Sequence, residues 1–506
     1  MPGRTEPRTG REGGGERRLW LICTAWLLLN AISQGLVSGT ADRDQAEQLL
    51  LSQSWQLGYG PQPPLYTYLV KLVFLVTGPA LWPLLGLKVG LLSLLVAALL
   101  GVGRELAFSA RQQLIAVSGL ALIPQLIWES QRDLTHSVLA TSVAALTLLQ
   151  LLRLQRQPTA TGYAGLGLLA AAGLLSKYSY GLFLASLVLA ALSLPSFRRV
   201  LLRPRLILSL AIPAALVLPH LQWVVDHAPL SLGGLEKLEL EGGLASRPRG
   251  LLSAAAAALA FLSPFWLAAV AVLWRSSSAG EEQPSAAIGG GRSQRARLLL
   301  RLPLCLAAVL LAFVLATGAS RIKDRWYQPL LFYAPVSVAV LAGALDRRRQ
   351  RALVAAAVVA ATATSLLLPG RTVLAGLTGR NDSRTAPLLP LLAQVQREQG
   401  RPDWIVASGT FLGGNARQVF EATPVLTPKV TIAAGDGRHT GQDARVLVLV
   451  DPNHRAEELT TLLQTRFGRT LRAGELQPVS APPLWGWGTP EAYTIRYAWI
   501  GAKQPE

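Results

Sequence analysis

Two polar stretches, each wedged between long apolar runs, hold the residue types best suited to chemistry. The first reads Asp42-Arg43-Asp44-Gln45-Ala46-Glu47. It leads past Ser52, Gln53 and Trp55 into Gly58-Tyr59-Gly60-Pro61-Gln62-Pro63-Pro64-Leu65-Tyr66. The second reads Glu129-Ser130-Gln131-Arg132-Asp133-Leu134-Thr135-His136. Cations and aromatics recur at the ends of other apolar runs: Lys177-Tyr178, His220-Leu221-Gln222-Trp223 with Asp226 and His227, and Arg321-Ile322-Lys323-Asp324-Arg325-Trp326-Tyr327. Lys88 lies inside an apolar run, framed by Gly86 and Gly90, and is expected to pair with one of the acids. Ionisable groups at membrane depth are costly and therefore point to function. Carboxylates beside cations and apolar walls suit transfer from a lipid-linked phosphate. A carboxylate takes the proton of an attacking hydroxyl, worth typically about 10²–10⁴-fold. Lys or Arg neutralises the leaving phosphate through charge-assisted hydrogen bonds.

Plainer readings stand beside these. Asp44 fits a helix N-cap, with Glu47 three residues on completing a capping box. Neither feature explains Asp42 or the Gly/Pro segment that follows. Glu129, Asp133 and His136 are spaced like one helix face, which suits a hydrogen-bonded network or a divalent metal; the sequence itself requires no cofactor. Trp223, Trp326 and Tyr327, taken singly, read as interfacial anchors.

The chain that positions these groups has 506 residues, 51% of them hydrophobic and 15% charged. That balance excludes an ordinary soluble domain, where charged residues make up about 25%. Eleven apolar runs of spanning size appear near 19–36, 82–102, 113–128, 137–152, 162–176, 179–196, 206–224, 251–274, 302–318, 329–345 and 352–368. Cys23 and Cys305 both fall within such runs, so no disulfide framework is on offer. The N-terminal stretch 1–18 and the segments 103–112, 153–161, 197–205, 275–301 and 346–351 carry 22 basic and 7 acidic residues, against 10 and 10 in the alternate loops. By the positive-inside rule the basic side is cytoplasmic and the C-terminus lies outside. The net charge of +19 is therefore topological and implies no nucleic-acid partner. Residues 276–294, rich in Ser, Gly and Gln, read as a loop without chemistry. Beyond about residue 370, strand-like stretches at 404–407, 445–450 and 493–499 alternate with helix-like ones near 386–399 and 454–466, as in a small α/β domain. The Gly413-Gly414 pair there lacks the spacing of a nucleotide site, so a scaffold or docking role is expected of this part.

The first loop resembles that of the polyprenyl-phosphate-sugar-dependent glycosyltransferases of the GT-C fold. This is the protein-O-mannosyltransferase-like group related to the lipid A aminoarabinose transferase. Asp44-Gln45-Ala46 and Gly58-Tyr59-Gly60-Pro61-Gln62-Pro63-Pro64-Leu65 carry the resemblance. Arg132-Asp133, Leu175-Ser176-Lys177-Tyr178, Pro219-His220-Leu221-Gln222-Trp223 with His227, and Arg325-Trp326 follow in matching order over roughly residues 19–345. The resemblance implies Asp44 as base for the acceptor hydroxyl and Asp133 as the second acid. Lys177 and Arg325, with Arg321 and Lys323 nearby, are implied at the carrier phosphate. Glu47, Tyr59, Gln62, Arg132, His136, Tyr178, His220, His227 and Trp326 are then expected to line the substrate pocket. Two departures stand out. Gln45 replaces the family's usual Glu, leaving Asp42 or Glu47 to compensate, and Gln62 replaces a charged or His residue.

The expected molecule is an all-α polytopic membrane protein, GT-C-like, with about eleven transmembrane helices over 19–369 and catalytic outer loops at 37–81 and 129–136. Residues 370–506 form a small extracytoplasmic α/β domain. It would be an inverting glycosyltransferase of the cytoplasmic membrane. Its partners would be the bilayer, a polyprenyl-phosphate-sugar donor, and a lipid, glycan or protein acceptor. A lipid or polysaccharide transporter, or a non-catalytic assembly component, are the alternatives. Charge-poor midplane segments favour the enzyme, since transporters keep charge near the midplane.

Overall fold

A computed structural model describes residues 12–231, 233–234, 238–239, 246–274, 290–341, 347–380, 382–430, 444–487 and 491–501. The apolar runs form helices α1 (Glu12–Val37), α4 (Leu81–Glu105), α5 (Ala110–Leu120), α6 (His136–Arg156), α7 (Ala160–Leu174), α8 (Tyr180–Leu192), α9 (Pro195–Leu201), α10 (Leu206–Asp226), α11 (Ser246–Leu262), α12 (Phe265–Trp274), α13 (Gly290–Thr317), α14 (Ala334–Leu341) and α15 (Arg347–Leu377). Between the first two lie the short α2 (Arg43–Leu51) and the apolar α3 (Leu65–Thr77). Among the described residues six helices are long and apolar enough to cross a membrane, or eight if the bent pairs α8/α9 and α11/α12 each count as one span. The predicted runs at 113–128 and 162–176, and the described part of 329–345 up to Leu341, form shorter or interrupted helical pieces. Large apolar side chains such as Ile22, Leu202, Leu252 and Val359 stand exposed, as suits a surface solvated by lipid tails.

The chain divides into two compact units. One holds residues 1–28, 57–66 and 88–364; the other holds 29–56, 67–87 and 365–506. In the first, α7 packs between α6 and α10. Gly167 on α7 meets the backbone of Leu208 and Ser209, a closeness that a small residue permits. Ser209 Oγ donates to the Tyr163 carbonyl (2.7 Å), and the Tyr163 hydroxyl donates to that of Val200 (2.7 Å). At the Arg156 end of α6, buried Glu105 lies 3.3 Å from Arg295, 3.7 Å from Arg156 and 4.0 Å from Arg153, so one carboxylate ties three helices.

The second unit holds a five-stranded sheet: β1 (Trp404–Ala407), β2 (Val425–Leu426), β3 (Val446–Val450), β4 (Gln477–Ala481) and β5 (Tyr493–Ile500), in the order β2-β1-β3-β5-β4. β1 pairs in parallel with β2 and β3, and β5 pairs antiparallel with β3 and β4. Strand alternation sends Ile405, Ala407, Leu447, Leu449 and Ile495 to one face, under α16 (Leu388–Gln399) and α17 (Thr410–Val419). Trp404, Val406, Val446, Val448 and Ala498 go to the other, under α18 (Thr460–Phe467). Three strands and both helical stretches were expected. The missed β2 is two residues long, and β4 is an edge strand with an internal Pro478.

Candidate functional site

In the first unit the polar loop ends are joined by a chain of hydrogen bonds. The turn Tyr59–Gln62 closes on itself, Tyr59 N–H to Gln62 C=O (3.0 Å) and Gln62 N–H to Tyr59 C=O (3.1 Å), around Gly60 at φ 57°. That left-handed φ is the reason for glycine there. Gly58 has no room for a side chain, because a Cβ would fall inside the Trp223 ring. His220, on α10, donates from Nδ1 to the Leu57 carbonyl (2.7 Å), which leaves Nε2 to accept the Tyr178 hydroxyl (3.2 Å). Burial raises the Tyr178 pKa, so that hydroxyl keeps its proton. Tyr178, His220, Trp223 and His227 form one aromatic column, with successive rings 5.9, 6.2 and 4.8 Å apart and tilted by only 13–17°.

The turn, the hairpin tip and the second loop are likewise linked. Leu65 N–H donates to Leu175 C=O (3.0 Å), the Lys177 ammonium donates to Ser137 Oγ, and the Tyr66 ring lies 5.2 Å from that of His136. Buried Lys88 donates to the Gln131 carbonyl (3.5 Å). Gln328 donates to Ser130 Oγ (2.6 Å), Ser130 to the Gln125 carbonyl (2.7 Å), and Gln125 to Asp324 (2.7 Å). Asp324 also accepts the Arg325 N–H (2.8 Å), which fixes the turn carrying half-exposed Lys323, Arg325 and Trp326. Among the expected phosphate-binding cations, Arg321 already faces Glu239 (2.7 Å), and its guanidinium lowers that carboxyl's pKa. Glu239 sits in a polar loop, and nothing in the sequence marked it.

The expected single face for Glu129, Asp133 and His136 does not form. Residues 125–129 are a wide π-helical turn, Ser130–Arg132 one short helical turn, and Asp133 leaves the helix at φ −145° and ψ −37°; α6 starts afresh at His136. Glu129 binds Arg132 instead (2.8 Å). Among the described residues no group of three His, Cys, Asp or Glu side chains is placed to hold a metal ion.

The second unit carries Asp42, Asp44 and Glu47 on and before α2. The capping box is displaced by two residues from the expected one. Asp42 is the N-cap and Gln45 its partner, with Gln45 Oε1 accepting the Asp42 N–H (3.0 Å). An amide carbonyl serves here as well as a carboxylate, which accounts for Gln45 structurally. Buried Asp42 also accepts the Ser383 hydroxyl (2.7 Å) and the Arg43 N–H (2.9 Å), and lies 3.5 Å from Arg371. Burial alone would raise its pKa. The Ser383 and Arg43 bonds and the charges of Arg371 and Arg384 outweigh that and lower it. Asp44 and Glu47, three residues apart on α2, are both half-buried.

A carboxyl with a depressed pKa stabilises the fold above its unfolded pKa, and that contribution fades as pH falls through the folded value. Asp42→Asn is therefore expected to destabilise the purified protein by about 1–3 kcal/mol at neutral pH. Melting curves taken down a pH series should show wild type and variant converging below the usual carboxylate range. A constant gap would deny Asp42 its ionised role.

Residues 61–223 match the family model for dolichyl-phosphate-mannose-protein mannosyltransferases. Over 95% of its length the chain is similar to two Rhizobium johnstonii proteins. Lipopolysaccharide core galacturonosyltransferase RgtB is 30% identical over 493 residues, covering 95% of this chain and 97% of RgtB. Lipopolysaccharide core galacturonosyltransferase RgtA is 27% identical over 492 residues, covering 95% and 96%. In fold the chain is similar to ArnT from Cupriavidus metallidurans, crystallised with undecaprenyl phosphate. The TM-score is 0.59 at 12% identity, over 96% of this chain and 99% of ArnT.

Proposed function

The chain belongs to the family of membrane glycosyltransferases that includes the lipopolysaccharide core galacturonosyltransferases, and from that premise we propose that it transfers a galacturonosyl residue from a polyprenyl-phosphate carrier to a lipopolysaccharide core. The observation that carries the reading is the 30% identity to RgtB across 95% of the chain, which takes in the α/β part as well as the helices. In this reading the chain lies in the cytoplasmic membrane, and the loop charges support an N-terminus inside and the loops that carry Asp44 and Asp133 on the outer face.

In this reading Asp44 takes the proton of the acceptor hydroxyl as its oxygen attacks the anomeric carbon. The bond from that carbon to the carrier phosphate breaks on the opposite side, so one displacement inverts the configuration. The electron pair leaves with the phosphate, whose growing charge Lys177, Arg325 and Lys323 neutralise. Asp133 orients the acceptor, while Asp42 holds the start of α2 and leaves the chemistry to Asp44. The aromatic column from Tyr178 to His227 supports the turn that carries Tyr59 and Gln62.

The test is a donor panel. Purified protein is given undecaprenyl-phosphate-linked galacturonic acid, glucose, mannose or aminoarabinose, together with a lipopolysaccharide core acceptor, and the product is read by mass spectrometry. Addition of one galacturonic acid is the expected result. Addition of a neutral or amino sugar instead would overturn the proposed donor.

A further inference from the structure

The α/β part of the chain grips α2 along its whole length, and the grip determines which way α2 is turned. At the N-terminal end the fully buried Asn415 amide is saturated. Its Oδ1 accepts the Ala41 N–H (2.8 Å) and Gln418 Nε2 (2.9 Å), and its Nδ2 donates to the carbonyls of Ala41 (3.1 Å) and Phe411 (2.9 Å). In the middle, Gly414 of α17 lies against the backbone of Ala46, where any Cβ would overlap the Ala46 carbonyl. Just past the C-terminal end, Gln53 copies a strand. Its Oε1 accepts the Val425 N–H (2.8 Å) and its Nε2 donates to the Val425 carbonyl (3.0 Å) at the outer strand β2. Leu50 is built into the core of the sheet.

Helical geometry turns these contacts into an orientation. Asp44 stands two residues before Ala46, about 200° round the helix. With Ala46 seated on Gly414, Asp44 must face the opposite way. We propose that Gly414 and Asn415 are positioning residues for glycosyl transfer: the α/β domain seats α2 so that Asp44 is presented to the acceptor. The inference rests on the reading of Asp44 as the base. It gives the Gly413-Gly414 pair a purpose that is neither nucleotide binding nor partner docking.

The experiment measures kcat and KM for full-length Asn415→Ala, Gly414→Ala, Asn415→Asp and Asp44→Asn, and for the double variant Asp44→Asn/Asn415→Ala. The donor is undecaprenyl-phosphate-linked galacturonic acid. A misaligned base costs turnover without weakening donor binding. Asn415→Ala and Gly414→Ala should therefore lower kcat on the order of 100-fold, with donor KM changed by no more than about threefold. Asn415→Asp keeps the size and the bond from the Ala41 N–H but turns an acceptor oxygen toward the Ala41 and Phe411 carbonyls, so it should fall at least as far as Asn415→Ala. Gly414→Ala, which leaves that amide intact, serves if neither variant at 415 folds. The double variant should be no slower than Asp44→Asn alone. Wild-type kcat in Asn415→Asp and Gly414→Ala beside an inactive Asp44→Asn would overturn the positioning role and leave the base in place. Full turnover by Asp44→Asn would instead overturn the base reading itself.

Discussion

Asp44→Asn is expected to stop transfer, with kcat down by about 10²–10⁴-fold while the protein still inserts, purifies and melts as wild type does. The amide keeps the shape of the side chain but cannot take a proton from an acceptor hydroxyl. Stability should change little, because Asp44 is half-buried and the cap of α2 belongs to Asp42 and Gln45. What is lost is the favourable placing of a negative charge in a helix's first turn, typically 0.3–1 kcal/mol. The contrast with Asp42→Asn makes the prediction sharp. Two acids two residues apart should separate into one that governs rate and one that governs melting. Steady-state rates and melting curves for both variants check this, and equal rate losses would refute the division.

The second large effect is expected at Lys177. Its ammonium is held by Ser137 Oγ at the start of α6, on a tip tied to the Gly/Pro turn through Leu65 and Leu175. A cation fixed in this way needs no reorganisation when charge develops on the departing phosphate, which is the condition for a large electrostatic contribution. Lys177→Met should reduce kcat/KM for the polyprenyl-phosphate donor by about 10²–10³-fold. Most of the loss should fall on kcat, since the charge is greatest in the transition state. Lys177→Arg keeps the charge but alters the reach to Ser137, so partial recovery is expected. A loss confined to KM would assign Lys177 to ground-state donor binding alone.

Much of this architecture is legible because its causes are local. Apolar runs of spanning length give the long helices, and short stretches rich in β-branched, aromatic or other apolar residues give β1, β3 and β5. Legibility fails where the deciding partner is distant in sequence. The capping box lies at Asp42/Gln45 rather than Asp44/Glu47, and Asp42 is held there by Ser383 and Arg371, more than 300 residues away in sequence. Gly414 reads as part of a weak glycine turn until Ala46 is seen against it. The face drawn through Glu129, Asp133 and His136 assumed an unbroken helix. The π-helical turn and the break at Asp133 carry no strong sequence signal, since neither Gly nor Pro stands between residues 125 and 136. The sequence does not mark α3 as a helix, because its 13 residues are too few for a span and the Gly/Pro stretch before it dominates the pattern.

The measurement closest to the central claim follows both products of one turnover in proteoliposomes containing the purified chain, undecaprenyl-phosphate-linked galacturonic acid and a lipopolysaccharide core acceptor. A glycosyltransferase must release one carrier phosphate for every new glycosidic bond, so the two should appear together at a one-to-one ratio and vanish together in Asp44→Asn. Movement of the intact donor across the bilayer, with neither carrier phosphate released nor a bond formed, would contradict the account.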